Sequence, residues 1–290
     1  MNIAMKKKYV FLIVFLCVIL FTAGSLYASK HFLQCTHYTI KDERIEHPFR
    51  IIQLTDLHNS TFGEYNERLI KKVLEQEPDI ILITGDLINE DEEDLNIALE
   101  LISALSKEVP VYVSYGNHET NYEKRFNVSL RNKYESAGAK VLNFEYEEVE
   151  ISGQKVRLGG LYGYCLPEIY LSTGEANKKE VTFLKEFQDT PLYTILMCHM
   201  PVCWIINDSL NQWDCDLVLC GHSHGGQIRI PFIGGLYAPD QGYFCGKEAG
   251  LYYSDDRNKI MLLSRGLGNN EKIPRMNNLP EITIISLVNK

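Results

Sequence analysis

Arg50-Ile-Ile-Gln-Leu-Thr-Asp-Leu-His58 decides how the rest of the chain reads. A short apolar run leads straight into a carboxylate and an imidazole two positions apart. A run this short, ending in polar residues, suits a strand better than a helix. The same arrangement recurs four times downstream. Asp79-Ile-Ile-Leu-Ile83 runs into Thr84-Gly85-Asp86. Val109–Ser114 runs into Gly116-Asn117-His118-Glu119. A strand expected at 192–197 runs into His199-Met200-Pro201. One expected at 216–220 runs into Gly221-His222-Ser223-His224-Gly225-Gly226-Gln227.

Helical patterns lie between these strands. Residues 64–77 put Leu69, Ile70, Val73 and Leu74 on one face, and Pro78 ends the run. Residues 91–107 form a second expected helix, opened by the acidic stretch Glu90–Asp94, since carboxylates suit a helix N-terminus. Further helical pieces are expected at 119–137 and 176–188, and further strands at 155–160, 227–230, 259–264 and 281–287. Alternating strand and helix predicts an α/β fold, and the strand-rich second half allows a second sheet.

Ligands of open α/β sheets bind outside the C-terminal ends of the strands. Five strands here deliver metal-capable side chains to such ends. Residues two apart on an extended segment face the same way, so Asp56 with His58, and His222 with His224, could each grip one ion. Imidazole and carboxylate ligands suit zinc, iron and manganese. Taken singly, a strand-end Asp is usually a cap, and Gly85-Asp86 is usually a turn. Yet five of the eight histidines (58, 118, 199, 222 and 224) fall in these motifs, which ordinary structural use does not explain.

The 290 residues carry a net charge of -9, with 45% apolar and 23% charged residues. That composition fits a folded chain. It lacks the basic footprint of a nucleic-acid binder and argues against broad adhesion to anionic lipid. A phosphate-bearing substrate stays open, because bound metals reverse the local field. The eight cysteines form no CxxC pair, which argues against a structural zinc site. Cys198 and Cys220 read as core residues. Asn-x-Ser/Thr triplets at Asn59, Asn127 and Asn207 read as chance.

At the N-terminus, Lys6, Lys7 and Lys8 precede an uncharged apolar run that reaches Ala28, with Tyr9 and Tyr27 at its ends. About 20 apolar residues cross a bilayer as a helix, and aromatic rings favour the interface. An uncleaved anchor is preferred to a cleaved signal peptide, because the run is long and Leu26 and Tyr27 spoil a small-residue cleavage site. The basic flank places everything after residue 29 outside. The expected division is 1–29 anchor or signal segment, 30–48 linker and first strand region, and 49–290 catalytic domain.

The motifs D-x-H, G-D, G-N-H-[DE], H and G-H-x-H, in this order, resemble the calcineurin-like metallophosphoesterase superfamily. Gly221–Gln227, Arg265–Gly268 and Pro280–Ile282 look like its membrane-associated bacterial branch. The resemblance implies four layers, two packed β-sheets flanked by helices. It implies two divalent ions (Mn, Fe or Zn), with Asp56, His58 and His224 on the first, Asn117, His199 and His222 on the second, and Asp86 bridging. Asp86, Asn117 and His118 form the implied catalytic set, with His118 beside the substrate phosphate. Many relatives carry an acidic residue where this chain has Asn89, and some use it to orient the active-site histidine. An amide can orient a histidine but cannot stabilise its cation as a carboxylate does, so this departure bears on the protonation state of His118 and not on the metal site.

The activity implied is hydrolysis of a phosphate ester, most simply a phosphodiester near a membrane, with lipid headgroups or envelope polymers as candidate sources. The alternatives are a pyrophosphate-cleaving hydrolase of a nucleotide-linked lipid precursor and an inactive metal-binding scaffold. Expected partners are the ester and the membrane, and no nucleic acid. Specificity is expected from loops at 119–140, 163–175 and 231–250. Tyr162, Tyr164, Tyr237 and Tyr243 read as ordinary half-buried tyrosines before they read as an aromatic rim.

Overall fold

The computed structural model describes residues 3–164, 177–206, 208–269 and 273–290. Cys165, Asn207 and most of the expected 163–175 loop lie outside them. The chain opens with α1 (Ile3–His31), β1 (Gln34–Lys41), β2 (Phe49–Leu54), α2 (Glu67–Leu74), β3 (Ile80–Thr84), α3 (Asn96–Ser106) and β4 (Val111–Ser114). Next come α4 (Asn117–Phe126), α5 (Leu130–Ser136), β5 (Lys140–Val141), β6 (Glu145–Ile151), β7 (Gln154–Leu161), α6 (Lys178–Gln188) and β8 (Tyr193–Cys198). Two short helices, α7 (Val202–Ile206) and α8 (Ser209–Gln212), lead to β9 (Leu217–Cys220). Four two-residue pieces follow: β10 (Arg229–Ile230), β11 (Gly234–Gly235), β12 (Tyr237–Ala238) and β13 (Gly242–Tyr243). The chain closes with β14 (Gly250–Tyr253), β15 (Ile260–Leu263) and β16 (Glu281–Val288).

Two six-stranded sheets form, in the orders β1-β16-β2-β3-β4-β5 and β14-β15-β9-β8-β7-β6. Side chains alternate across each strand, and the alternation builds the layers. Ile51, Leu82, Ile195, Leu217 and Leu219 point into one core between the sheets. Ile52, Ile81 and Ile83 point the other way, onto Leu69 and Val73 of α2 and Leu101 and Ile102 of α3. Leu196 and Val218 likewise turn outward, onto Phe183, Leu184 and Phe187 of α6. The result is the expected helix–sheet–sheet–helix order. The continuous apolar runs at 80–83 and 217–220 exist because both faces of those strands are covered.

β2, β3 and β4 run parallel at the centre of the first sheet, as β8 and β9 do in the second. Their C-terminal ends meet where the sheets touch. Gln53 Nε2 donates to Thr84 Oγ1 and to the Cys220 carbonyl, both at 2.9 Å, and so ties the sheets beneath that meeting point.

Several expectations shift. Glu90–Asp94 is not a helix start: α3 begins at Asn96. The expected helix 119–137 breaks into α4 and α5 at Asn127, whose φ of 51° is left-handed. Within the 30–48 linker and first strand region, the strand is Gln34–Lys41, which pairs in parallel with β16. The strand expected at 227–230 shrinks to two residues. Tyr164 is buried against Trp204 and Trp213, and Tyr237 packs on Tyr243, so these rings do not share one rim.

α1 holds one stretch, Lys7–His31, long and apolar enough to be a membrane span or a signal sequence. Its C-terminal end is seated on the domain. Ser25 Oγ accepts from the Asn277 N–H at 2.5 Å, and Ser29 Oγ from the Asn278 N–H at 3.2 Å.

Candidate metal centre

All seven expected ligands, with His118, lie where the two sheet edges meet. Asp56, His58 and His224 form one group of donor atoms within 4.8 Å of one another, and Asp86, His199 and His222 form another. Asp86 also groups with His58 and His118, so its carboxylate stands between the two sets. Asp86 Oδ2 is 3.7 Å from His58 Nε2 and 3.1 Å from His199 Nε2, while Asp56 Oδ1 is 3.7 Å from His224 Nε2. Asn117 begins α4, and its buried Oδ1 has no hydrogen-bond partner.

His222 and His224 do not grip one ion together as their spacing predicts. They fall in different groups, because residues 221–227 form a turn in which both have positive φ (70° and 47°). Asp56, His58 and Asp86 are left-handed as well, at 53°, 46° and 53°. Such conformations cost energy in non-glycine residues, and they persist where the surroundings over-determine them.

Those surroundings are visible. Glu119, fully buried, accepts from the backbone N–H groups of Asp86, Leu87 and Gly116, each at 2.8 Å. It thereby clamps the β3 turn to the start of α4. Asp56 accepts from the His222 N–H at 2.9 Å, which joins the two sheets across the centre. Gly116 and Gly221 permit the close approach, since a Cβ would stand 2.1 Å from Asp86 Oδ1 at the first and 2.5 Å from Asp56 Oδ2 at the second.

The imidazoles are aimed by their other ring nitrogens. His199 Nδ1 lies 2.8 Å from the Thr84 carbonyl, which only a donor satisfies, so Nε2 is the nitrogen turned to the centre and would offer its lone pair there once an ion displaces its proton. His118 Nδ1 accepts from the Glu90 N–H at 3.0 Å, which leaves Nε2 as the N–H end, 3.9 Å from Asp86 Oδ2. Asn89 Oδ1 lies 3.2 Å from His58 Nδ1, and its amide donates to Glu92 and to the His58 carbonyl. Glu90 and Glu92 are thus bound into loops around the centre, which explains why the acidic stretch is not a helix start.

Burial dominates the electrostatics. It pushes His58 down to about 3, and His224 well down too. Burial also opposes charge on His199, but Asp86 and Asp56 beside it bring it up to about 10. Burial would likewise raise Asp86, yet His199 next to it holds it below the usual carboxylate range. Asp56, buried among carboxylates, is raised.

This donor set fits divalent ions. Among the described residues His58 Nε2, His199 Nε2 and Asn117 Oδ1 are buried with no hydrogen-bond partner. His58 and His199 face the carboxylates of Asp56 and Asp86, where a cation would satisfy what no protein donor does.

Asp240 reaches the centre from an unexpected place. Its Oδ2 lies 2.9 Å from His222 Nε2, and that imidazole holds it below the usual carboxylate range. Asn278 carries the His224 and Gln227 carbonyls at 2.7 and 3.1 Å. Neither residue lies in a motif, so no sequence signal marked them.

The family model for calcineurin-like phosphoesterase matches residues 49–226, more than half of the chain. Phosphodiesterase YaeI of Escherichia coli is 30% identical over 251 residues, covering 83% of each chain. The metallophosphoesterase YkuE of Bacillus subtilis is 27% identical over 270 residues, covering 90% of this chain and 87% of its own. A crystal structure of a 5'-nucleotidase precursor from Thermus thermophilus aligns with 83% of this chain and 54% of its own, at 14% identity and a TM-score of 0.48. The chain belongs to the calcineurin-like phosphoesterase family and is a metal-dependent phosphoesterase.

Proposed function

We propose that this protein is a phosphodiesterase working at a membrane surface. In this reading Asp56, His58 and His224 hold one divalent ion, Asn117, His199 and His222 hold a second, and Asp86 bridges them. The three buried donor atoms without partners, His58 Nε2, His199 Nε2 and Asn117 Oδ1, carry the reading. The diester preference is supported by similarity to the Escherichia coli protein named a phosphodiesterase. The membrane setting is supported by the apolar stretch of α1 and the lysines in its first turns, which together suit a single-pass anchor with residues 49–290 outside as the catalytic domain.

Divalent ions at such a centre neutralise phosphate oxygens and make a shared water acidic. The chain's own groups do the rest. Glu119 and the left-handed turns fix Asp86 and Asn117 before substrate arrives, so no reorganisation is needed at the moment of reaction. His118 keeps Nδ1 as an acceptor from the Glu90 amide and offers Nε2–H to the leaving oxygen. No side chain acts as a nucleophile.

The test uses the full chain in detergent with Mn²⁺, comparing bis(p-nitrophenyl) phosphate with p-nitrophenyl phosphate. Faster turnover of the diester, absent in Asp86→Ala, is expected. Preference for the monoester would overturn the diesterase reading, and near-normal turnover in Asp86→Ala would overturn the centre.

A further inference from the structure

A cavity of about 560 Å³ lies between the C-terminal end of α1 and the loops behind the metal centre, and it does not contain the ligands. Leu26, Phe62 and Leu267 give it apolar walls, while Lys30, Asn59 and Arg275 supply polar groups. We propose that it binds the phosphate head of an anionic membrane lipid, with Arg275 as the phosphate's partner.

Arg275 is only 5% exposed. Its Nε donates to the Gly268 carbonyl at 2.8 Å, and Nη2 donates to the Arg265 carbonyl and lies 3.4 Å from His224 Nδ1. Its Nη1 is buried with no partner, and among the described residues no carboxylate pairs with it. Arg265, its neighbour, takes the nearby Glu281 instead, at 3.0 Å. Burying a guanidinium without an anion is costly, and the cost falls when an anion arrives. Only Nη1 is left to donate, and a charged phosphate oxygen suits it better than a neutral acceptor does.

Depth points the same way. Lys8 must stay out of hydrocarbon, so a span begins at Tyr9, and about 20 residues of helix, roughly 30 Å, end it at Ala28. Leu26 lies in the last turn of that span, and Lys30 lies just beyond it and is exposed. The cavity wall therefore crosses the level where apolar chain gives way to lipid phosphate. An acyl chain would lie against Leu26, while the head would meet Lys30 at the mouth and Arg275 inside. The net charge of -9 disfavours broad adhesion, but it does not oppose one buried cation at one site.

The inference rests on the membrane reading of α1, and because Arg275 also touches His224, the test is made with metal removed. It is tested on the full chain, stripped of metal by chelator and held in phosphatidylcholine nanodiscs. Phosphatidylglycerol is added in steps, and the thermal midpoint and the bound lipids, counted by native mass spectrometry, are read. Saturating phosphatidylglycerol should raise the midpoint by about 5 °C. Arg275→Gln should remove that shift, and Lys30→Gln should reduce it. If Arg275→Gln does not fold, Leu267→Trp, which fills the cavity from its apolar wall, should remove the shift with Arg275 intact. An equal shift from added phosphatidylcholine, or a full shift retained in Arg275→Gln or Leu267→Trp, would overturn the proposal. An equal shift from inorganic phosphate would reduce the site to a small-anion site and overturn the lipid part. Because no metal is present, failure here leaves the phosphoesterase reading standing, and loss of esterase activity would not remove the lipid shift.

Discussion

The metal centre is reached from two parts of the molecule built on different principles. Asp56, His58, Asp86, Asn117 and His199 sit just past the ends of apolar strands, and His222 and His224 sit in the turn after β9. Asp240, Arg275 and Asn278 reach the same groups from between residues 227 and 280, where most strands are two residues long. In the first part the backbone is fixed by sheet and core, and the side chains follow. In the second, side-chain contacts to the centre hold a backbone that has little regular structure of its own. Substitutions in the first part should therefore cost folding, and substitutions in the second should cost metal affinity.

Glu119→Ala gives the largest expected effect. It strands three buried backbone donors, at roughly 1–3 kcal/mol each, so a loss of about 5 kcal/mol in denaturant unfolding is expected. An unchanged midpoint would show that the first part is not pinned as described.

Glu281 tests the exception, a late residue on a long strand. Burial would raise it, but Arg265 and Thr36 hold it below the ordinary 4.5. A depressed folded value means that its stabilisation is present above 4.5 and is lost as pH falls through the lower folded value. Glu281→Gln should cost about 3 kcal/mol at neutral pH and flatten the acid limb of the stability profile. An acid limb as steep as that of the wild type would remove Glu281 from the account.

Gly116→Ala leaves the strands alone and pushes a methyl group at Asp86 Oδ1. Turnover should fall by roughly 10²-fold, the scale set by a displacement of about 1 Å, with metal still bound. Asp240→Asn should be the mildest. It should weaken metal affinity by about 10-fold or somewhat more and leave the unfolding midpoint unchanged. A large loss of stability in that variant would erase the contrast between the two parts.

The same contrast governs what the sequence discloses. β2, β3, β4, β8 and β9 are legible because two-sided burial demands unbroken apolar runs, and the ligands are legible because they follow those runs. Two local readings go astray near the centre itself. His222 and His224 lie on a turn where period-two logic does not apply, and Glu90 and Glu92 are claimed by Asn59, Asn89, His118 and Asn121, which leaves Asp94 to accept from the first N–H of α3. β6 escapes notice because Glu145–Ile151 is an acidic edge strand with most side chains in solvent. Asp240, Arg275 and Asn278 carry no periodic signal. Their partners lie between 18 and 54 residues away in sequence, so only the folded chain pairs them.

The central claim is a two-ion centre shared by both sheets through Asp86. Its most direct test is the metal content of the purified full chain, wild type against Asp86→Ala, by elemental analysis after equilibration with Mn²⁺. The account predicts two ions per chain in the wild type and loss of both in Asp86→Ala. One ion in the wild type, or two retained in Asp86→Ala, would contradict it.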